Sequence, residues 1–219
     1  MSVVIEVASI VTPDSRRRPG PRELHQSKLD TVAYISDFFK WETIPWNEPS
    51  EQFGIFTSAS NSRFNLLLSL AWLIDQNSDE MDTEAESYFT HLFNVLPKNI
   101  RGLSEYQYFP PSEGFNNFSH LLSRNIFTSY WFPLEIANTV HIDAVLPDGF
   151  SIGSSHRLRD ELHNLGQITQ QVIALNGKDS PIQYLDYSIT WDSVHQLIQL
   201  IENASDESIS LNLPLKILW

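Results

Sequence analysis

Cysteine is absent from the 219-residue chain, and glycine is scarce, with only 8 residues. The lack of cysteine excludes disulfides, zinc–thiolate sites, iron–sulfur clusters and cysteine nucleophiles. Neither the dinucleotide pattern G-x-G-x-x-G nor the phosphate-loop pattern G-x-x-x-x-G-K-[ST] occurs, so we expect no cofactor. A chain of this size needs no covalent cross-links, and the absence of cysteine therefore favours a reducing, cytoplasmic location.

Long apolar runs are also lacking. No stretch approaches the roughly 20 residues of a membrane span, and the N-terminal stretch has neither the basic leader nor the cleavage site of a signal peptide. We therefore expect no membrane partner. Hydrophobic residues still make up 42% of the chain, which is enough for one sizeable core. The sequence predicts a single domain over residues 1–219, with an exposed basic loop at about 12–23.

Positively charged residues are also few, with 14 Lys and Arg residues against 27 Asp and Glu residues. The net charge is −13, and it is unevenly distributed: residues 1–40 sum to +1 and residues 41–219 to −14. Such a body repels phosphates and attracts basic surfaces. We therefore expect a basic protein partner and no nucleic acid; the composition leaves the oligomeric state open.

The hydrophobic pattern predicts an α+β fold, with a small mixed sheet packed by several amphipathic helices, because strands and helices follow no regular β-α-β-α order. Predicted strands are Val3–Val11, Phe53–Thr57, Thr139–Leu146, Phe150–Ile152, residues 182–189 and a closing segment through Leu215 and Ile217. Predicted helices lie near 23–41, 61–75, 116–130 and 155–175, followed by a last helix capped by Asp192. Apolar residues cover most faces of the 61–75 helix, so its side chains Phe64, Leu67, Leu68, Ala71 and Trp72 are predicted to lie in the core.

One catalytic pattern is present, since Gly149, Ser151 and Gly153 match the G-x-S-x-G turn of serine hydrolases. Asp186 and His195 follow in the order of a hydrolase triad, which gives an esterase-like alternative. The surroundings favour another interpretation, because a Pro-Asp-Gly turn precedes the serine and a helix cap at Ser154 follows it too late. We therefore expect a hairpin and a capped helix, with Ser151 not acting as a nucleophile.

A metal site is a second alternative. His141 lies on a predicted strand, while His156 and His163 share one face of the next helix. Nitrogen ligands from adjacent elements could converge on zinc or iron. The tight H-E-x-x-H spacing is absent, however, and a solvated helix face explains the same residues.

Two segments are candidates for protein binding. The stretch from Asp75 to Glu86 is the most acidic of the chain, and residues 104–115 form an aromatic loop stiffened by two prolines. Carboxylates steer basic partners, and exposed aromatic rings are common interface anchors. The predicted binding residues are Asp79, Glu80, Asp82, Glu84, Tyr106, Tyr108 and Phe109.

The C-terminal stretch Asp192–Ile198 and Ser210–Leu215, with its Asn-Leu-Pro-Leu segment, resembles the ending of some bacterial immunity proteins of toxin–immunity systems. The resemblance implies a small cytosolic protein that neutralises a cognate toxin by masking its surface. The acidic charge and the absence of cysteine are similar in those proteins.

Overall fold

A computed structural model describes residues 2–10, 22–47, 49, 52–76, 117–122, 129–142, 150–184 and 187–218. Eight strands and four helices occupy these ranges. The strands are β1 (Ser2–Ala8), β2 (Phe53–Ser60), β3 (Tyr130–Phe132), β4 (Val140–Ile142), β5 (Phe150–Ser154), β6 (Pro181–Tyr184), β7 (Tyr187–Thr190) and β8 (Leu215–Leu218). The helices are α1 (Arg22–Trp41), α2 (Asn61–Gln76), α3 (Ser155–Asn176) and α4 (Trp191–Leu211).

Six strands form one mixed sheet in the order β2-β1-β8-β3-β5-β4, and β6 and β7 form a separate antiparallel hairpin. Among the described strands, β3 and β5 are the parallel pair, whereas the other neighbours run antiparallel. This sheet and the helices around it confirm the predicted α+β class.

The sheet is packed on both faces, because successive side chains of a strand point to opposite sides. One face packs against α2, α3 and α4 in the larger core, to which Val3, Ile5 and Val7 of β1 contribute. The other face packs against α1 in a smaller aromatic core. There the rings of Phe39 and Phe132 meet edge to face, with centroids 4.9 Å apart.

Helix α2 occupies the larger core, as its apolar pattern predicts. Phe64, Leu67, Leu68 and Ala71 are at most 2% exposed, while Trp72 is half-buried and packs against the same cluster. Ser60 caps the helix, because its hydroxyl accepts a hydrogen bond from the amide of Arg63 at 3.4 Å.

A buried ion pair joins the two central strands. Glu6 on β1 and Lys216 on β8 are direct cross-strand neighbours, and their charged groups lie 3.9 Å apart. Both residues are at most 5% exposed, and Lys216 Nζ also donates to the carbonyl of Ser9 at 2.9 Å. Removing either charge would leave the other buried, which costs about 3–5 kcal/mol.

The residues that begin and end α3 are those predicted from the sequence, whereas the predicted cap of α4 differs. The hydroxyl of Ser154 accepts from the amide of Arg157 at 3.3 Å and begins α3, and Gly177, at φ 86°, ends it. The cap predicted at Asp192 is wrong, since Thr190 Oγ1 caps α4. Asp192 instead lies in the first turn of α4, where the helix dipole favours a carboxylate.

Three other predicted elements differ from the structure. The helix predicted near 116–130 is wrong at both ends, because residues 119–122 form a turn and Tyr130 begins β3, while residues 123–128 lie outside the described part. The strand predicted at 182–189 is the hairpin β6–β7. The basic loop predicted at 12–23 meets α1 at Arg22, and residues 12–21 lie outside the described part.

Gly153 generates a stability prediction. A Cβ at this position would lie 2.9 Å from Trp131 Cδ1 and 3.0 Å from His120 Cδ2, both inside the core. We expect Gly153→Ala to lower the free energy of unfolding by about 1–3 kcal/mol through overpacking. At Gly166 the added Cβ would lie 3.6 Å from its nearest neighbour. Gly166→Ala should therefore be stabilising by about 0.5–1 kcal/mol, because alanine favours the helix. Urea unfolding of both variants checks this, and equal values for the two would contradict it.

Candidate functional site

The residues predicted to bind a partner lie outside the described part of the chain. Outside the described residues lie Asp79, Glu80, Asp82, Glu84, Tyr106, Tyr108 and Phe109, together with Asp186 of the hydrolase alternative. Their assignment to a binding surface stays a prediction.

An acidic surface is present on α4, which carries four carboxylates and neither Lys nor Arg. At about 100° per residue, these carboxylates span an arc of about 140° on the helix. The opposite side is buried, with residues such as Val194, Ile198 and Ile201 facing the core. The amphipathic pattern therefore directs the charges outward. We call this surface the α4 acidic face, composed of Asp192, Glu202, Asp206 and Glu207.

Helix α3 supplies neighbours to the α4 acidic face. Arg159 contacts Asp206 at 3.6 Å and Asp160 at 3.0 Å, and the hydrogen bond to Asp160 raises the pKa of the Arg159 guanidinium. His163 Nδ1 lies 3.1 Å from Glu202 Oε1. These pairs are partly exposed to solvent, so each contributes at most about 1 kcal/mol. A partner's cations can therefore replace them at small cost.

A different carboxylate, Glu161 of α3, is buried. It accepts hydrogen bonds from the backbone amides of His120 and Leu121 at 2.8–3.1 Å, and its Oε1 lies 3.2 Å from His120 Nδ1. The indole Nε1 of Trp131 donates to the carbonyl of His120 at 3.2 Å. Glu161 thus fixes the turn at 117–122 between α3 and the sheet.

Asp75, at the end of α2, holds the same turn from the other side, because its Oδ1 accepts from the amide of Asn117 at 2.8 Å. Asp75 and Glu161 are therefore structural acids, and neither belongs to the exposed surface. Glu161 was not among the residues predicted from the sequence. The available signal was its position in the apolar stripe of Leu158, Leu162 and Leu165, where a carboxylate faces the core.

Ser151 and His195, the serine and histidine of the hydrolase alternative, make hydrogen-bond contacts with different residues. Ser151 lies within β5, is 1% exposed, and its hydroxyl is 3.1 Å from Nδ1 of His141 on β4. His195 lies on α4, with its Nδ1 2.9 Å from Thr169 Oγ1 and its Nε2 3.0 Å from Gln199 Nε2. The structure does not pair Ser151 with His195. The hairpin and the capped helix predicted around Ser151 are confirmed.

The three histidines of the metal alternative are likewise separate. His141 contacts Ser151, His156 lies 4.0 Å from Glu135, and His163 contacts Glu202. Within the described ranges, no group of three or more His, Asp or Glu side chains has the geometry to hold a metal ion. None of the helices in those ranges is long and apolar enough to cross a membrane.

The fold and the α4 acidic face describe an α+β protein with a surface suited to a basic macromolecule. Comparison with protein families is more specific, because the model described as "Putative DNA-mimic protein" matches residues 1–215. The chain belongs to this family. No curated protein matches it, and no solved structure does.

The family match bears on the predicted function in two ways. At the level of a protein-binding role, the prediction agrees with the family. The partner prediction was wrong in setting nucleic acid aside, because the family is one of DNA mimics and so points to proteins that bind DNA. The match does not confirm a toxin as the partner. A basic partner remains consistent with the match. The resemblance to immunity proteins is not tested by it and stays a prediction.

Ser151 is expected not to react with a fluorophosphonate probe, because its hydroxyl is buried and contacts His141. Mass spectrometry after incubation measures the labelling, and Ser151→Ala is the control. Labelling of the wild-type chain that disappears in Ser151→Ala would contradict this prediction and support the hydrolase alternative.

Glu161 and Asp160 form a matched pair of neighbouring acids. We expect Glu161→Gln to lower the free energy of unfolding by about 1–3 kcal/mol, because the amide NH₂ faces buried backbone donors. Asp160→Asn changes an exposed group and should cost at most about 0.5 kcal/mol. Chemical denaturation measures both. Similar values for the two variants would show that the carboxylate of Glu161 does not hold the turn.

Proposed function

We propose that this protein is a DNA mimic that occupies the DNA-binding surface of a basic protein. The observation that carries the proposal is the family match over residues 1–215. It also accounts for a feature that the fold alone does not require, the net charge of −13. DNA-binding proteins recognise the duplex largely through Lys and Arg contacts to phosphates, and exposed carboxylates offer the same sign of charge.

The α4 acidic face supports the proposal as one part of such a surface. Four carboxylates lie on a helix of 21 residues, which is about 31 Å long. Duplex DNA of that length carries about 18 phosphates, at one charge per roughly 1.7 Å. The helix alone therefore reproduces only a fraction of the charge of the duplex. We infer that other acidic segments contribute, with the dense stretch Asp79–Glu84 as the leading candidate.

The placement of two basic residues supports the same reading of the surface. Lys216 is buried against Glu6 and the carbonyl of Ser9, so its charge does not reach the solvent. Arg159 is bound between Asp160 and Asp206. In both arrangements a carboxylate lies beside the cation, so neither residue presents an unpaired positive charge to an approaching basic partner.

Capture followed by competition tests the proposal. The chain is immobilised, proteins of its host are bound at low salt, and the bound protein is eluted with a short DNA duplex. We expect a DNA-binding protein that the duplex displaces and that binds less as salt rises. The free chain should in turn release that protein from a labelled duplex. Capture of proteins that duplex DNA cannot displace would contradict the proposal.

Two charge-matched triple variants locate the surface. Glu202→Gln/Asp206→Asn/Glu207→Gln removes three charges from the α4 acidic face, while Asp30→Asn/Asp37→Asn/Glu42→Gln removes three exposed charges at α1, on the other side of the sheet. At up to about 1 kcal/mol per exposed charge pair, we expect the first variant to bind the captured protein about 10- to 100-fold more weakly.

The α1 variant should retain affinity to within about 3-fold, because screening limits the influence of charges more than a Debye length away. Competition titrations against the labelled duplex measure both variants. Equal losses in the two would show that only the total charge matters and that the α4 acidic face is not the contact surface.

A further inference from the structure

Strand β2 lies at one edge of the six-stranded sheet, and its strand neighbour in the described part of the chain is β1. The two strands differ in exposure. From Val3 to Ala8 every residue of β1 is buried, whereas Phe53 of β2 is 49% exposed and Ser58 is exposed too. An edge strand directs a row of backbone N–H and C=O groups away from its sheet. Within the described part of the chain, the outer side of β2 is therefore open to another strand.

The sequence of β2 does not protect this edge. Its eight residues, F-G-I-F-T-S-A-S, contain no charged residue and no proline, two of the devices that prevent edge-to-edge pairing. A β-bulge between Glu6 and Ala8 disrupts the register at the beginning of β2. Regular pairing extends over Phe56–Ser60, opposite Ser2–Glu6. A straight five-residue edge is thus available, and Ser58 is its midpoint.

We propose that β2 pairs antiparallel with β2 of a second copy of this chain, centred on Ser58, to give a continuous sheet across a dimer. In a two-fold symmetric contact the residue on the axis faces its own copy and its neighbours pair crosswise, so a charge at or beside the axis lies close to the same charge of the other copy. With 27 acidic residues in the chain, the absence of charge from all of β2 meets this requirement.

The same property argues against the basic partner as the occupant of this edge. A basic surface is attracted by carboxylates, and β2 has none, whereas α4 carries four. The side chains at the midpoint, Thr57, Ser58 and Ala59, are also small and allow close approach of a second strand. The edge is therefore suited to self-pairing, and this inference does not depend on the proposed function.

A cysteine substitution tests the contact directly, since the chain has no native cysteine. In the proposed register, Ser58 of one copy lies opposite Ser58 of the other, with Cα atoms about 4.5–5.5 Å apart. A disulfide spans Cα distances of about 4.4–6.8 Å. We expect Ser58→Cys to form a disulfide dimer under mild oxidation. Asn164→Cys, at an exposed position of α3, is the control for random collision. Equal cross-linking of the two variants would overturn the register.

A lysine substitution tests the dimer itself. Sedimentation or light scattering should give the wild-type chain about twice its 25.1 kDa mass, and Ser58→Lys should halve that value, because two like charges would meet at the axis. Asn164→Lys carries the same added charge and should remain dimeric. Circular dichroism confirms that the variants are folded. A wild-type mass of 25.1 kDa at every concentration, or a dimer that survives Ser58→Lys, would overturn the proposal. A third outcome would also overturn the proposal: a monomeric wild-type chain that binds the captured protein and loses this binding in Ser58→Lys. In that case β2 pairs with the captured protein and not with a second copy.

Discussion

Strand β8 connects the two halves of the sheet. It lies between β1 and β3, so that the β2–β1 ladder and the β3–β5–β4 ladder meet only through its four residues in the described part of the chain. The pairing of β1 with β8 joins segments separated by more than 200 positions in the sequence, which carries a large loop-closure cost. Leu215 and Ile217 offset this cost through complete burial in the larger core. The helices on both faces of the sheet therefore pack against a surface that is continuous because β8 joins its two halves.

The acidic residues around this sheet differ in burial. The acids within the core hold structure: Glu6 pairs with Lys216, while Asp75 and Glu161 bind backbone amides of the turn at 117–122. Buried carboxylates are tolerated only with such partners. The acids of α4 lie on the outer side of an amphipathic helix, where Asp192 is in the first turn and Glu202 and Asp206 pair with His163 and Arg159 of α3. The described acids therefore form two groups, and only the outer group is accessible to a partner.

Local signals predicted much of the fold. Strand β1, helices α1 and α2, the β4–β5 hairpin and the caps of α3 all follow from periodicity or from turn chemistry within a few residues. The sequence did not predict what distant pairing decides. Strand β3 has only three residues, and its position between β8 and β5 cannot be read from the apolar spacing that suggested a helix. Glu161 was missed because its amide partners lie about 40 residues away. For the candidate site, the closely spaced acids of Asp79–Glu84 led to the prediction of a binding segment. The four acids of α4 are farther apart in the sequence, and they lie on one surface only when the helix is formed.

The rigidity of α4 has a consequence for recognition. A phosphate backbone bends, and a protein that grips DNA can choose among the shapes that a duplex adopts. Carboxylates mounted on a helix that is fixed against α3 and the sheet keep constant mutual distances. Adaptation then falls to the long Lys and Arg side chains of the partner, which lose rotamer freedom on binding. For the proposed basic partner, such a surface would favour a protein whose cations already lie at matching intervals over one that depends on a flexible polyanion.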